Sequence, residues 1–162
     1  MTNLLKNSNF CLKGIILLFV ASTLVACDKQ TIYHSYQALP AEGWQKKDTL
    51  SFNVEVPDSF TYYKLFVEVR NRNDYPYQNI NLSISYLAPT DTLSLPTDTI
   101  QLTLADKEGK WKGTGWGSLY QSEFPVGGIR IRKPGNYQFK IAYTFTDQSL
   151  NGINDIGIRL NR

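Results

Sequence analysis

Cys27 carries the most specific chemistry in this chain. It closes Leu24-Val25-Ala26-Cys27, a branched apolar residue and two small or medium ones ahead of a thiol, the pattern of a lipobox. In that chemistry the sulfur takes a diacylglyceryl group, the peptide bond before Cys27 is cut, and the new amine is acylated. The residues before it fit a leader. Lys6 and Lys13 give a positive start without acids, and residues 14–26 form an unbroken run of small and apolar residues. A spanning helix needs about 20 apolar residues, so the run has the length of a secretory signal core instead. Two or more acyl chains, each buried methylene adding about 0.8 kcal/mol, then anchor a protein without a spanning helix. The competing reading makes the run a membrane anchor and Cys27 an ordinary buried cysteine, but no cluster of stop-transfer charges follows Cys27.

Other reactive residue types are sparse. Cys11 falls inside the leader, so the mature chain keeps one cysteine and has no disulfide, thiol pair or cysteine metal site. His34 is the one histidine and lies in the expected tether. A Ser–His–Asp or Cys–His system therefore lacks a base in the body of the domain, and zinc needs several His or Cys ligands. Glu68 and Glu123 are candidates for a glycosidase-like carboxylate pair. The sequence cannot pair them, and each reads equally as a solvated charge on a strand face. Asp106 and Glu108 share a loop without a calcium motif. The expectation is a protein that is not an enzyme and has no cofactor or metal.

The stretch 109–117, GKWKGTGWG, holds Gly109, Gly113, Gly115, Gly117, Trp111 and Trp116. A phosphate cradle follows a strand and opens a helix, whose terminal amides meet the anion. No helical period follows here. The glycines read better as a bent or bulged strand with its tryptophans packed on a sheet. The remaining reading is an aromatic platform for a sugar, built from Trp111, Trp116 or Tyr120, or a contact for a partner protein. Tyr75 and Tyr77 flank Pro76 in a turn and are further contact candidates, since tyrosine offers area with a polar tip. The other possibility is that one of them covers the end of the domain. Charge adds little: 17 basic residues stand against 14 acidic ones, and the leader removes Lys6 and Lys13. The one basic run is Arg130-Ile131-Arg132-Lys133, so nucleic acid is not an expected partner.

The elements that must position these groups are strands. Period-two alternation runs through 48–56, 62–71, 79–87, 98–105, 128–132, 136–145 and 156–160, each with one apolar face. Turn formers separate the runs, among them Lys133-Pro134-Gly135-Asn136. A short helical turn fits only near 38–44 or 147–152. The pattern predicts one antiparallel β-sandwich, jelly-roll or immunoglobulin-like, whose topology the sequence does not choose. The expected organisation is a signal peptide over 1–26, a lipidated Cys and tether leading into a first edge strand over 27–38, and the sandwich over 39–162.

Three blocks carry a resemblance. They are Arg70-Asn71 with Tyr75-Pro76-Tyr77 and Asn79; Gly109-Lys110-Trp111 with Gly113 and Gly115; and Leu150 with Gly152-Ile153 and Asp155-Ile156-Gly157. With the lipobox they resemble the GldH gliding-motility lipoproteins of the Bacteroidetes, over about 40–160. The resemblance implies a non-enzymatic accessory or assembly component of the gliding apparatus and its linked type 9 secretion system, with other envelope proteins as partners. It implies no catalytic residue. Tyr75, Tyr77 and Trp116 are the partner-contact candidates, and a carbohydrate-binding envelope lipoprotein is the alternative. Lys29 is followed by Gln30 and Thr31, not by the acids of a surface-export signal. The domain is therefore expected at the periplasmic side of the outer membrane.

Overall fold

The computed structural model describes residues 30–59, 61–89 and 95–162; Cys27 and the leader lie outside the described residues. The strands are β1 (Thr31–Ala38), β2 (Trp44–Gln45), β3 (Leu50–Val56), β4 (Thr61–Arg72), β5 (Asn79–Leu87), β6 (Leu95–Thr103), β7 (Thr114–Trp116), β8 (Leu119–Ile131), β9 (Gly135–Tyr143), β10 (Ser149–Leu150) and β11 (Ile153–Asn161). They form a five-stranded sheet in the order β1-β11-β4-β8-β7 and a four-stranded sheet in the order β3-β9-β5-β6. A two-stranded piece, β10-β2, completes the set. Every pairing is antiparallel. The molecule is all-β and sandwich-like, as the alternation predicts.

The alternating residues meet between the sheets. Phe52, Val54 and Val56 of β3, with Phe139 and Ile141 of β9, face Tyr63, Val67 and Val69 of β4 and Ile156 and Ile158 of β11, and all are buried. Two bulges keep the apolar residues inside where strict parity would turn them out. In β8 the register against β4 shifts between Leu65 and Phe66. Glu123 and Arg130, of opposite parity, thus share the outer face, while Ile129 and Ile131 stay buried. In β11 a shift between Ile153 and Asp155 does the same for Ile153. A bulge adds one residue and flips the facing of everything beyond it.

Of the short helical turns that fitted near 38–44 or 147–152, the first is a single tight turn in which the Gly43 amide donates to the Pro40 carbonyl at 3.0 Å, and it leads into β2, whose Trp44 pairs with Leu150 of β10. Burial decides this. Trp44 is fully buried and its Nε1 donates to the Asp48 carbonyl at 3.0 Å. A helix continued through either strand would break that plug. The start of the domain also differs in detail. β1 pairs with β11 along its whole length, so His34 belongs to the sheet and not to a tether.

Register gives the molecule two ends. Thr31, Asn161, Lys64 and Gly128 lie in one row across the five-stranded sheet. Ala38, Asp155, Arg70, Gln121 and Thr114 lie in another. At about 3.3 Å per residue the rows are roughly 23 Å apart. The first is the tether end, where the chain enters; the second is the far end.

Candidate functional site

All three sequence blocks come together at the far end. The Arg72 amide donates to the Gly152 carbonyl at 2.7 Å, and Ile153 pairs with Asn71. Gly152 has φ +87, and a Cβ there would sit 2.5 Å from the Tyr75 Cα, so only glycine fits. Tyr75 turns inward, with its hydroxyl donating to the Asn79 carbonyl at 2.8 Å. Its ring lies 6.3 Å from Trp111 and 5.7 Å from Tyr77. Trp111 in turn lies 6.1 Å from Tyr120, and Tyr77 stacks on Phe145 at 4.9 Å. The chain of rings closes this end of the core, and such pairs add to plain area burial.

This arrangement corrects two expectations. Tyr75 is only 3% exposed and cannot meet a partner from the surface; it covers the end of the sandwich. Tyr77 is half-buried, with its hydroxyl donating to the Asp147 carboxylate. Trp111 and Tyr120 are half-buried too, and their planes are tilted by 38°. They do not form the flat exposed pair that a two-ring sugar platform requires. Titration follows the packing. Burial first, then the nearby Tyr77 and Asp147, push the Tyr75 phenol well above its ordinary range. The bond to Asp147 raises that of Tyr77.

Trp116 is different. β7 and β8 form a hairpin in which Trp116 pairs with Leu119, leaving Gly117 and Ser118 as the turn. Gly117 has φ +64, which the mirror-image turns of two-residue hairpins require. The tip is held out from the core, and the Trp116 side chain is 94% exposed. A shallow groove of about 460 Å³ runs beside it, lined by Arg70, Thr114, Gly115, Trp116, Leu119 and Gln121. The glycine row is thus a hairpin arm. A Cβ on Gly113 would sit 2.5 Å from the Gln121 carbonyl, and one on Gly115 would meet the Tyr120 ring at 2.7 Å.

The groove adjoins a polar cluster on the outer face of the same sheet. Glu68, expected as a solvated charge, is 1% exposed. It accepts from Tyr36 Oη, from Arg159 Nε at 3.3 Å and from Gln121 Nε2 at 3.4 Å, and His34 Nε2 lies 3.1 Å away. Arg159 also reaches Glu123 at 2.5 Å and lies 4.4 Å over the Phe66 ring. Arg70 lies 3.8 Å over the Tyr36 ring and donates to Gln121 at 3.0 Å. Burial works against the Arg159 charge, but its hydrogen bonds to Glu123 and Glu68, with their charges, outweigh it and hold the guanidinium above its ordinary range. Glu68 and Glu123 are opposite each other in register, the pairing that the sequence could not establish. A glycosidase pair flanks a substrate. Here Arg159 fills the space between them, and the Glu68 oxygens are already occupied. Among the described residues no group of three or more His, Cys, Asp or Glu could hold a metal.

No direct pointer to this cluster exists in the sequence. Glu68 alternates like any solvated strand residue, and its partners come from three other strands. One indirect signal is Gly157, where a Cβ would strike the Tyr36 ring at 2.7 Å; the glycine makes room for Tyr36 to reach Glu68.

Fold and site together define a class: a β-sandwich with a projecting aromatic hairpin and a groove on one sheet. Comparison with known proteins narrows the class. A sequence model of the GldH lipoprotein family matches residues 31–160, and the chain belongs to that family. A gliding motility lipoprotein GldH homolog of Christiangramia forsetii is 27% identical over 91% of this chain and 93% of its own. The gliding motility lipoprotein GldH of Flavobacterium johnsoniae is 27% identical over 98% of each chain. Among solved structures, a family 35 carbohydrate-binding module from Clostridium thermocellum covers 78% of this chain and 89% of its own. Its 10% identity and TM-score of 0.36 are too low to bear on ligand.

Proposed function

We propose that this protein is a lipid-anchored, non-enzymatic component of the cell envelope that serves gliding motility. It acts as an accessory or assembly part of the motility machine and its linked type 9 secretion system. Cys27 is the lipid attachment point, and the domain sits at the periplasmic side of the outer membrane. Membership of the GldH lipoprotein family and the motility names of its relatives support the setting. The contact is protein to protein, through the far end. The observation that carries this is Trp116, 94% exposed at the tip of a hairpin whose turn Gly117 permits and whose arm pairs with β8. Tryptophan and arginine are the residues most enriched at binding hot spots, and Trp116 and Arg70 line one groove. Tyr77 lies at the margin of this end as a secondary contact, and Tyr75 acts from beneath by fixing the end's shape.

The test is crosslinking and pull-down from intact envelopes with wild type, Trp116→Ala and Cys27→Ala. Envelope partners recovered with wild type should be lost with Trp116→Ala. Unchanged recovery removes Trp116 from the contact. A Cys27→Ala protein that still labels with palmitate refutes the anchor. The second reading, a sugar-binding lipoprotein, is favoured by a single exposed ring beside the polar groups of Arg70, Thr114 and Gln121. Trp116 would stack on the sugar, with Trp111 and Tyr120 only supporting it. Saturable quenching of tryptophan fluorescence by envelope glycans, absent in Trp116→Ala, would select that reading.

A further inference from the structure

The tether end carries the basic run Arg130-Ile131-Arg132-Lys133, which the far end does not explain. Ile131 is buried, whereas Arg130, Arg132 and Lys133 are exposed. Lys64 and Tyr62 are also exposed, on neighbouring β4, and Tyr62 pairs with Arg130. Tyr62 and Trp116 are the large hydrophobic side chains left exposed among the described residues, at opposite ends of one sheet. Among the described residues the acids nearby do not neutralise the run: Asp58 is bonded to Arg162, and Glu55 projects from β3, on the other sheet.

The chain's own geometry fixes what this end faces. The Arg162 amide donates to the Gln30 carbonyl at 2.9 Å, pinning the chain's entry to the last strand. From Gln30 back to Cys27 the chain spans at most about 11 Å even when fully extended. The Debye length at physiological ionic strength is about 8–10 Å. β8 lies three strand spacings, roughly 14 Å, from β1, so a lipid on Cys27 brings these cations to headgroup charge when this end faces the bilayer. We infer that the tether end is a membrane-docking surface, in which Arg130, Arg132, Lys133 and Lys64 engage anionic phospholipid headgroups and Tyr62 lies at the interface. This rests on lipidation at Cys27. Each basic residue held at an anionic surface strengthens attachment by about fivefold. Docking sets the orientation: the sheet stands away from the bilayer and presents Trp116 at the top, so the anchor and the contact hairpin do not compete for one surface.

The test uses the full lipidated chain with Ser59→Cys or Ser118→Cys, each carrying a fluorophore. Both serines are exposed, Ser59 at the tether end and Ser118 in the hairpin turn. The protein is reconstituted in vesicles of neutral phosphatidylcholine, with or without phosphatidylglycerol, each containing a lipid with a nitroxide headgroup. The label at 59 should be quenched several-fold more in the anionic vesicles, and salt at about 1 M, where the Debye length falls to about 3 Å, should reverse the gain. The label at 118 should stay unquenched in both. Replacing Arg130, Arg132 and Lys133 by Glu should abolish the gain, and replacing them by Gln should reduce it, with melting curves showing that both variants remain folded. Equal quenching at 59 in the two vesicle types, or a gain that survives charge reversal, overturns the inference. Failure of the Cys27 reading looks different: the protein does not sediment with neutral vesicles. In that case sedimentation with anionic vesicles, and its loss on charge reversal, still tests the docking surface.

Discussion

The tether end and the far end both pack rings, Tyr86, Tyr137 and Phe139 at the former, but the ring each leaves exposed sits in a different setting. At the far end, Tyr75, Tyr77, Trp111, Tyr120 and Phe145 are packed on one another as a closing layer. At the tether end, Tyr62 stands 57% exposed among cations. The far end also holds the three sequence blocks that mark the family, while the tether end holds none of their glycines. The comparison separates what fixes the shape of the domain from what its surfaces are free to do. Shape depends on rings seated on glycines at both ends, Tyr75 on Gly152 and Tyr62 on Gly128, and surface chemistry on which side chains surround the exposed ring.

The largest break of that contrast comes from Trp44, fully buried under the far end and lying 5.2 Å from Tyr143. Trp44→Ala should cost about 3–5 kcal/mol in denaturant unfolding, as large-to-small core changes do. Tyr62→Ala at the tether end should cost less than about 1 kcal/mol. Similar losses from both would mean that the two ends are not energetically distinct.

Glu68 comes next, because it ties together four strands, β1, β11, β4 and β8. Glu68→Gln leaves Arg159 without its buried partner and should destabilise by about 2–3 kcal/mol. Glu68→Leu combined with Arg159→Leu should recover much of that, since a buried pair replaced by apolar groups is often neutral. A double variant as unstable as the sum of its parts would show that the two residues do not act as a unit.

Glu68 also marks the limit of what the chain reveals before it is folded. The apolar faces of β3, β4, β5, β9 and β11 were legible because alternation is local. The hairpin arm was not: the glycine row predicted a bent or bulged strand with both tryptophans packed on a sheet, whereas Trp116 projects from a tight turn. The burial of Glu68 was not legible, because it depends on four residues from three other strands meeting over it. The plug of Trp44 against Leu150 was missed for the same reason: two residues on each side give no period to detect. Tyr75 and Tyr77 could not be ranked, because exposure in a turn depends on what packs against it, here Gly152 and Trp111.

A smaller effect should appear at alkaline pH, confined to the far end. The phenols of Tyr75, Tyr77 and Tyr143 are all raised: Tyr75 and Tyr143 by burial first, Tyr77 by its bond to Asp147 first. A raised folded value means that the folded state holds the proton more tightly. The stability this contributes is present below the unfolded value of about 10 and is lost as pH rises above it. Unfolding midpoints should therefore fall above pH 10, with phenolate absorbance rising at the same pH. In Asp147→Asn the Tyr77 phenol should ionise at lower pH. A midpoint flat through this range, or an unchanged Tyr77 titration, would contradict the arrangement.

The smallest effect on stability should come from Trp116, and here the comparison narrows to two tryptophans on one arm. Trp111 forms a bridge with Ala105 and packs against Tyr75 and the core. Trp111→Ala should cost about 2 kcal/mol, less than a fully buried tryptophan because part of its ring is in water. Trp116→Ala removes a ring that touches little, and should change stability by less than about 0.5 kcal/mol. The two should then reverse in envelope pull-downs at a temperature where both variants are folded, with Trp116→Ala losing partners and Trp111→Ala keeping them. If Trp116→Ala is instead the destabilising change, the ring is part of the fold and the hairpin is a strut. Loss of partners without loss of stability would place the Trp116 ring in the contact and not in the fold.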